Sequence, residues 1–282
     1  MSDNLKFSLI MATLGRDKEI AAFCKSLAAQ TYKNYELIIV DQNDDDRLIP
    51  IVEEFKTQFQ INRICSSQKG AAFNRNYGVL FANNEIITFP DDDCIYKSTT
   101  LEEMNRFINA NCDYDFYFCN LEYINSKKIR YKSAIEKVTF FNAPERGIEF
   151  TFFYKKKSAI SLFDEAFGVG SKWGSNEIVD LVWNNLSKGK KGIYNGQFSI
   201  LHPDKSNIIN LNRTYSYALG FGASYKKAIS VYKVKLLFFQ FLKAVLRNII
   251  AIIIVPQSKK HMYIQSLKGK LKGFKEYRSE KK

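Results

Sequence analysis

Apolar and polar positions in the first half of the chain come in blocks whose period switches back and forth. Residues 5–12 are an almost continuous apolar, β-prone run. Residues 17–29 change to helical spacing, with Ile20, Phe23, Cys24 and Leu27 on one face. The short apolar run at 36–40 has the character of a strand covered on both sides. Helical spacing returns at 48–59, a third strand falls at 61–65, and a third helix at 71–82 is entered after Gly70. Residues 85–90 form a fourth strand that runs straight into Asp91, and 99–109 is helical again, with Thr99 or Thr100 placed to cap it. Strands alternating with helices predict an α/β fold whose parallel strands are joined by crossovers.

The second half is more mixed. Residues 114–119, 149–154 and 193–200 have strand character, while 177–186 and 215–229 have helical character. Beyond them, 233–255 is apolar with a thin polar stripe of Lys233, Gln240, Lys243 and Arg247 at helical spacing. Residues 236–255 reach the length of about 20 that spans a bilayer. Lys243 and Arg247 inside that run oppose a spanning helix, since charge at the bilayer centre is costly. A helix lying in the membrane interface is the favoured reading. A spanning helix, and an ordinary core or homodimer helix, are the other two. The division expected is a main domain over 1–210 and a helical, basic region over 211–282.

Charge sharpens this division. The net charge is +13, and residues 226–282 hold 15 Lys and Arg against two Glu, which equals the whole excess. A neutral body therefore carries a basic tail, whose partner is an anionic surface. The body shows no basic–aromatic face of the nucleic-acid-binding kind, so no nucleic acid is expected. An anionic membrane is expected instead, with Lys259, Lys260, Lys268, Lys270, Lys272 and Lys275 at the headgroups. The five cysteines are irregularly spaced with no CxxC pair, which fits neither a disulfide framework nor a zinc site. They read as reduced thiols, and the polar N-terminus as lacking an export signal, so a cytoplasmic protein on the inner face of the cell membrane is expected.

Parallel sheets of this kind bind ligands at the carboxyl ends of their strands. Asp41 ends the second strand, and Asp91, Asp92 and Asp93 end the fourth. Three adjacent carboxylates repel and raise one another's pKa, a conflict that a divalent cation removes. Hard cations such as Mg²⁺ take carboxylate oxygens together with substrate phosphates. If strand alternation persists, Asp91 and Asp93 point the same way. Asp92 would then face a neighbouring loop or the sugar and ribose of a donor. The run from Asn43 to Asp46 reads as a solvated turn and helix cap.

These residues resemble the family-2, GT-A-type glycosyltransferases over roughly residues 5–205. The resemblance rests on Ser8-Leu9-Ile10-Met11-Ala12-Thr13, on Ser26 to Tyr32 followed by Tyr35 to Asp41, and on Gly70 to Gly78. Phe89 to Cys94 with Tyr96 is similar to the Asp-x-Asp segment, particularly of bacterial capsule and O-antigen enzymes. The resemblance implies a Rossmann-like, mixed, mainly parallel sheet flanked by helices. It also implies site roles. Thr13, Arg16 and Asp41 would line the nucleotide pocket, Arg75 and Asn76 would support the donor side with Asp91 and Asp92, and Asp91 and Asp93 would hold Mg²⁺ or Mn²⁺. His202 would complete the metal or diphosphate site. The segment from Phe163 to Leu181 resembles the acceptor side, where an acidic residue at a helix start is the general base. The family often has Glu-Asp there, and this chain has Glu177-Ile178. Glu177 is the first choice, Asp180 three residues on is the second, and Asn176 is placed to cap the helix.

The implied activity is an inverting transfer of a sugar from a nucleotide-sugar, with a UDP-sugar as the prior. The acceptor would be a hydroxyl of a glycan or lipid-linked molecule in bacterial surface polysaccharide synthesis. A sugar nucleotidylyltransferase is one alternative, though Ala12 to Arg16 lacks its Gly-rich phosphate loop. A non-catalytic membrane- or nucleic-acid-binding module is the other.

Overall fold

A computed structural model describes residues 4–126, 128–204 and 210–278. The expected junction of the two regions at 210 thus adjoins a stretch, 205–209, outside the described residues. The first half follows the predicted alternation. It runs β1 (Phe7–Thr13), α1 (Lys18–Ala28), β2 (Tyr35–Asp41), α2 (Ile49–Phe55), β3 (Gln60–Cys65), α3 (Ala71–Val79), β4 (Ile86–Thr88) and α4 (Thr100–Ala110). The second half contributes β5 (Phe116–Tyr123), β6 (Ile135–Val138), α5 (Ala143–Arg146), β7 (Phe152–Lys155), α6 (Glu177–Ser187) and β8 (Gly192–His202). Three helices follow: α7 (Leu211–Ser230), α8 (Leu237–Ile254) and α9 (Gln257–Glu276).

The strands form one sheet in the order β3-β2-β1-β4-β7-β5-β8-β6. The first four are mutually parallel, and β5 is parallel to β8. Two strands run the other way: β7 between β4 and β5, and β6 at the edge beside β8. Helices cover both faces, so the central strands read as unbroken apolar runs rather than as alternating ones. Alternation is still visible in where the side chains go. Phe7, Leu9 and Met11 of β1 enter the layer beneath α1 and α4, while Ile10 enters the layer shared with α3 and α6. There α3 lies so close to β1 that a Cβ on Gly78 would sit 2.3 Å from Ile10 Cγ2.

Several expectations are corrected here. Residues 149–154 are not one strand, because Glu149–Thr151 is a 3₁₀ turn and only then does β7 begin. The edge strand β6 was not anticipated, since Ile-Glu-Lys-Val is short and half polar. Asn176 does not cap α6 with its side chain. It adopts φ 69° and donates to Ser224 Oγ at 2.8 Å instead. Thr99 precedes α4 without a side-chain cap as well. The acids at 44–46 are exposed, but they supply no side-chain cap to α2.

The basic region is not a free tail. Helix α7 packs on α6 and, most extensively, on α9. A Cβ on Gly222, Gly269 or Gly273 would meet backbone oxygen of the partner helix at 2.0–2.5 Å, so the two helices touch main chain to main chain. Pro256 separates α8 from α9. Helix α8 buries Leu237, Phe241 and Asn248, and Phe241 stacks on Phe274 of α9 at 4.2 Å. Gln240, expected on the polar stripe, faces the body and donates to Phe141 O at 2.8 Å.

Candidate active site

The carboxyl edge of the sheet gathers most of the residues singled out from the sequence. Strand β4 is only three residues long, so the Asp triplet lies in a turn, closed by Cys94 N donating to Asp91 O at 3.2 Å. Asp91 and Asp93 nevertheless face the same way. Together with His202 at the end of β8 they present ligand atoms within 4.8 Å of one another. His202 Nε2 lies 3.0 Å from Asp93 Oδ1 and 4.0 Å from Asp91 Oδ2. The imidazole stacks on Phe150 at 4.7 Å with only 5° between the planes. Two carboxylates and one imidazole form a hard, oxygen-rich donor set that suits Mg²⁺ or Mn²⁺.

Asp92 turns away from this group. Its Oδ2 accepts from Thr13 Oγ1 at 2.7 Å, and its Oδ1 pairs with Arg16. Arg16 also reaches Asp93 Oδ2 at 3.0 Å. Asp92 thus meets the end of β1 and the loop that follows it. Burial raises the Asp92 pKa, against the opposing pull of Thr13 and Arg16.

Arg75 occupies the centre of the site. Gly70, at φ 126°, admits the chain into α3, and Arg75 follows one and a half turns later. Its Nη2 donates to Asp91 Oδ1 at 2.8 Å, and its Nη1 stands 3.5 Å from Glu177 Oε1. Nε and Nη1 are buried without a hydrogen-bond acceptor. Burial opposes the guanidinium charge, yet Asp91, Glu149 and Glu177 together raise its pKa. Glu177 begins α6, where the carboxyl is largely buried and its pKa is raised by that burial against the pull of Arg75. Gly168 lies directly on it, and a Cβ there would come within 2.9 Å of Glu177 Oε1.

Three predicted residues take other partners. Asp180, the second choice for a base, does not join Glu177. Residues three apart on a helix are about 60° apart around its axis, and α7 claims this one. Lys227 Nζ lies 2.6 Å from Asp180 Oδ2, and Tyr232 donates its hydroxyl to Oδ1 at 2.9 Å. Lys227, counted with the basic tail, is thus buried, and it also pairs with Asp164 at 2.6 Å. Asn76 ties α3 to the loop before α6, donating to Phe163 O at 2.9 Å and accepting from Phe163 N at 3.1 Å. Asp41 is fully buried, accepting from Asn43 N at 2.9 Å and from Arg63 Nε at 2.7 Å. Neither Arg63 nor Glu149 was picked out from the sequence. Arg63 lay hidden in an apolar strand, and Glu149 at the start of a stretch read as strand.

Excluding Asp41, five carboxylates (Asp91, Asp92, Asp93, Glu149, Glu177) face two guanidiniums. That imbalance marks the corner as one for a cation and an anionic ligand carried with it.

The sequence matches glycosyl transferase family 2 over residues 8–177, and the chain belongs to that family. The nucleotidylyltransferase and non-catalytic readings give way to membership of a glycosyl transferase family. Among curated relatives, the chain is 31% identical over 140 residues to WfgD of Escherichia coli, a UDP-Glc:α-D-GlcNAc-diphosphoundecaprenol β-1,3-glucosyltransferase. That match covers 49% of this chain and 54% of WfgD, so the chain spans about half of that relative's length. It is 25% identical over 231 residues, 77% of this chain and 72% of the relative, to a GalNAc(5)-diNAcBac-PP-undecaprenol β-1,3-glucosyltransferase of Campylobacter jejuni. Among solved structures, Staphylococcus aureus TarS 1–349 in complex with UDP-GlcNAc aligns with TM-score 0.62 at 17% identity, over 93% of this chain and 80% of that one. The mannosyltransferase PcManGT of Pyrobaculum calidifontis, in complex with GDP-Man and Mn²⁺, aligns with TM-score 0.66 at 12% identity, over 95% and 87%. The fold is therefore the GT-A type, with helices added at the C-terminus.

Proposed function

We propose that the chain transfers a sugar from a nucleoside diphosphate sugar, with UDP-sugars the first to test, to a hydroxyl of a lipid-linked or polymeric glycan, with inversion. The observation that carries this reading is the convergence of Asp91, Asp93 and His202 beside the under-partnered guanidinium of Arg75. Asp91, Asp93 and His202 would hold a divalent cation, Mg²⁺ or Mn²⁺. When bound, that cation neutralises the charge developing on the leaving diphosphate. Arg75 orients Asp91 and adds positive charge at the same corner. Thr13 and Arg16 fix Asp92, which shapes the donor side of the pocket. A single displacement needs one carboxylate to take the acceptor's proton, and the acceptor-side corner of Arg75 provides it. Support also comes from the relatives: WfgD uses UDP-glucose, and both it and the Campylobacter jejuni enzyme are glucosyltransferases acting on diphosphoundecaprenol-linked acceptors.

A lipid-linked acceptor fits the outer helix layer. Among the described residues α8 alone is long and apolar enough to cross a membrane. One side of it is held by α9 and the body, whereas Phe239, Leu246, Ile253 and Ile254 on the other are 55–73% exposed. A helix anchored on one side and bare on the other suits the plane of a membrane interface, at the cytoplasmic leaflet where the donor is made available.

The deciding experiment offers UDP-glucose, UDP-N-acetylglucosamine and GDP-mannose with Mg²⁺ or Mn²⁺ and measures nucleoside diphosphate release. Metal-dependent release is expected. No binding and no turnover of any donor with either metal would sink the reading.

A further inference from the structure

We propose that Glu149, on the turn that precedes β7, is the general base that takes the proton of the acceptor hydroxyl, and that Glu177 positions Arg75. The inference deepens the glycosyl-transfer reading and rests on it.

Topology brings Glu149 to the site. Because β7 runs antiparallel to β4, with Phe153 opposite Thr88, its beginning lies at the edge where the other strands end. Residues 149–151 therefore sit beside the turn that carries Asp91. The next residue, Phe150, stacks on His202, which pins this turn to the proposed cation site.

The charged groups around Glu149 come from three further elements: Arg75 on α3, Asp91 after β4 and Glu177 on α6. Burial opposes the Arg75 charge, and Asp91, Glu149 and Glu177 together favour it. The two glutamates nevertheless differ in availability. Glu177 is 6% exposed, within ion-pair distance of Arg75 and covered by Gly168. Glu149 is half-buried. Among the described residues its carboxylate has no ion pair and accepts no hydrogen bond from another side chain. A carboxylate enclosed by Gly168 and Arg75 is a poor place to receive a proton from a bulky acceptor. A half-buried one near the same charge, with no side chain paired to it among the described residues, is a better one. Burial, followed by repulsion from Glu177, raises the Glu149 pKa, and Arg75 works against the rise. A carboxyl shifted toward neutrality is the stronger base.

The step balances without any other reactant. The acceptor oxygen forms its bond to the anomeric carbon as its proton passes to the Glu149 carboxylate. The bond from that carbon to the diphosphate oxygen breaks, and its electron pair leaves with the nucleoside diphosphate.

The test compares Glu149→Gln and Glu177→Gln in the full chain. The donor is whichever of UDP-glucose and UDP-N-acetylglucosamine the wild type uses, and the acceptor is a short-chain GlcNAc-diphosphate lipid. Rates are followed from pH 5 to 9, and UDP binding is titrated with Mn²⁺ present. Glu149→Gln is expected to bind UDP as the wild type does, to lose about 10²–10⁴-fold in kcat, and to lose the acidic limb of the pH–rate profile. Glu177→Gln is expected to keep that limb. An E149Q enzyme with wild-type kcat and an intact limb overturns the assignment, as does an E177Q enzyme that alone loses the limb. Loss of UDP binding in E149Q would place Glu149 in the binding corner and equally overturn its role as base. A wild type that turns over no donor fails the transferase reading itself, which is a separate outcome.

Discussion

His202 Nδ1 lies 2.8 Å from the carbonyl oxygen of Pro203, and its Nε2 lies 3.0 Å from Asp93 Oδ1. A carbonyl only accepts, so Nδ1 carries a proton. In the neutral ring, Nε2 then offers a lone pair to a carboxylate that also offers one. Two acceptors at that distance need a proton or a cation between them. Removing either partner should therefore weaken Mn²⁺ binding by more than the ~10–100-fold typical of residues that only orient a ligand. Titrating Mn²⁺ into His202→Ala and Asp93→Ala by calorimetry checks this. Wild-type affinity in both would remove them from the metal site, and Asp93→Ala should also abolish metal-dependent turnover.

Arg75 bridges Asp91 and Glu177 with two different nitrogens. A lysine keeps the charge but has one compact ammonium and cannot span both. Arg75→Lys should lower kcat/KM by about two orders of magnitude, a loss of ~3 kcal/mol in transition-state stabilisation, with the melting temperature little changed. Near-normal kcat/KM would mean that charge alone is needed there.

Asp180 and Lys227 are both buried and paired, with Asp164 and Tyr232 completing the group. Breaking one side leaves an uncompensated charge, so Lys227→Met should cost about 3–5 kcal/mol of stability. Denaturant unfolding measures it, and a cost under about 1 kcal/mol would show that the pair is dispensable.

The same carboxyl gives a pH signature. Burial outweighs Lys227 and pushes the Asp180 pKa up to about 6, from 3.8. A folded-state pKa above the unfolded one means stability that is full below the unfolded value and lost as pH rises through the folded value. Relative to Asp180→Asn, the wild type should therefore lose stability between about pH 4 and pH 6 and then level off. Unfolding curves at several pH values that stay parallel for the two proteins would contradict this.

The exposed face of α8 carries the membrane proposal. Phe239 and Ile253 are 67% and 72% exposed. Phe239→Glu with Ile253→Glu should reduce co-sedimentation with phosphatidylglycerol vesicles at least tenfold while the soluble protein remains folded. Undiminished binding would rule out this face.

Much of this was legible in the sequence because period reports burial. The parallel half, β1 to β4 with its helices, announced itself through apolar runs and helical repeats. The Asp triplet was found because it ends such a run. What escaped depends on long-range pairing. Nothing local says that Phe152–Lys155 inserts in reverse between two strands, or that the residues before it join the site. Helical spacing put Glu177 and Asp180 on one side of α6, but only the arrival of α7 with Lys227 assigns them different partners. Charge counting placed Lys227 in a basic tail because composition is blind to depth.

The reversed strand has a consequence of its own. In an all-parallel sheet each strand donates one loop to the functional edge, always the loop that follows it. With β7 inverted, the edge also receives the loop that leads into a strand, and this loop is reached from α5 rather than from a crossover helix. The residues that lead into Glu149 and Phe150 can thus change without disturbing any parallel register, while Phe150 stays stacked on His202. Acceptor preference in such an enzyme can drift by editing this one inlet while the nucleotide-handling side is conserved in place.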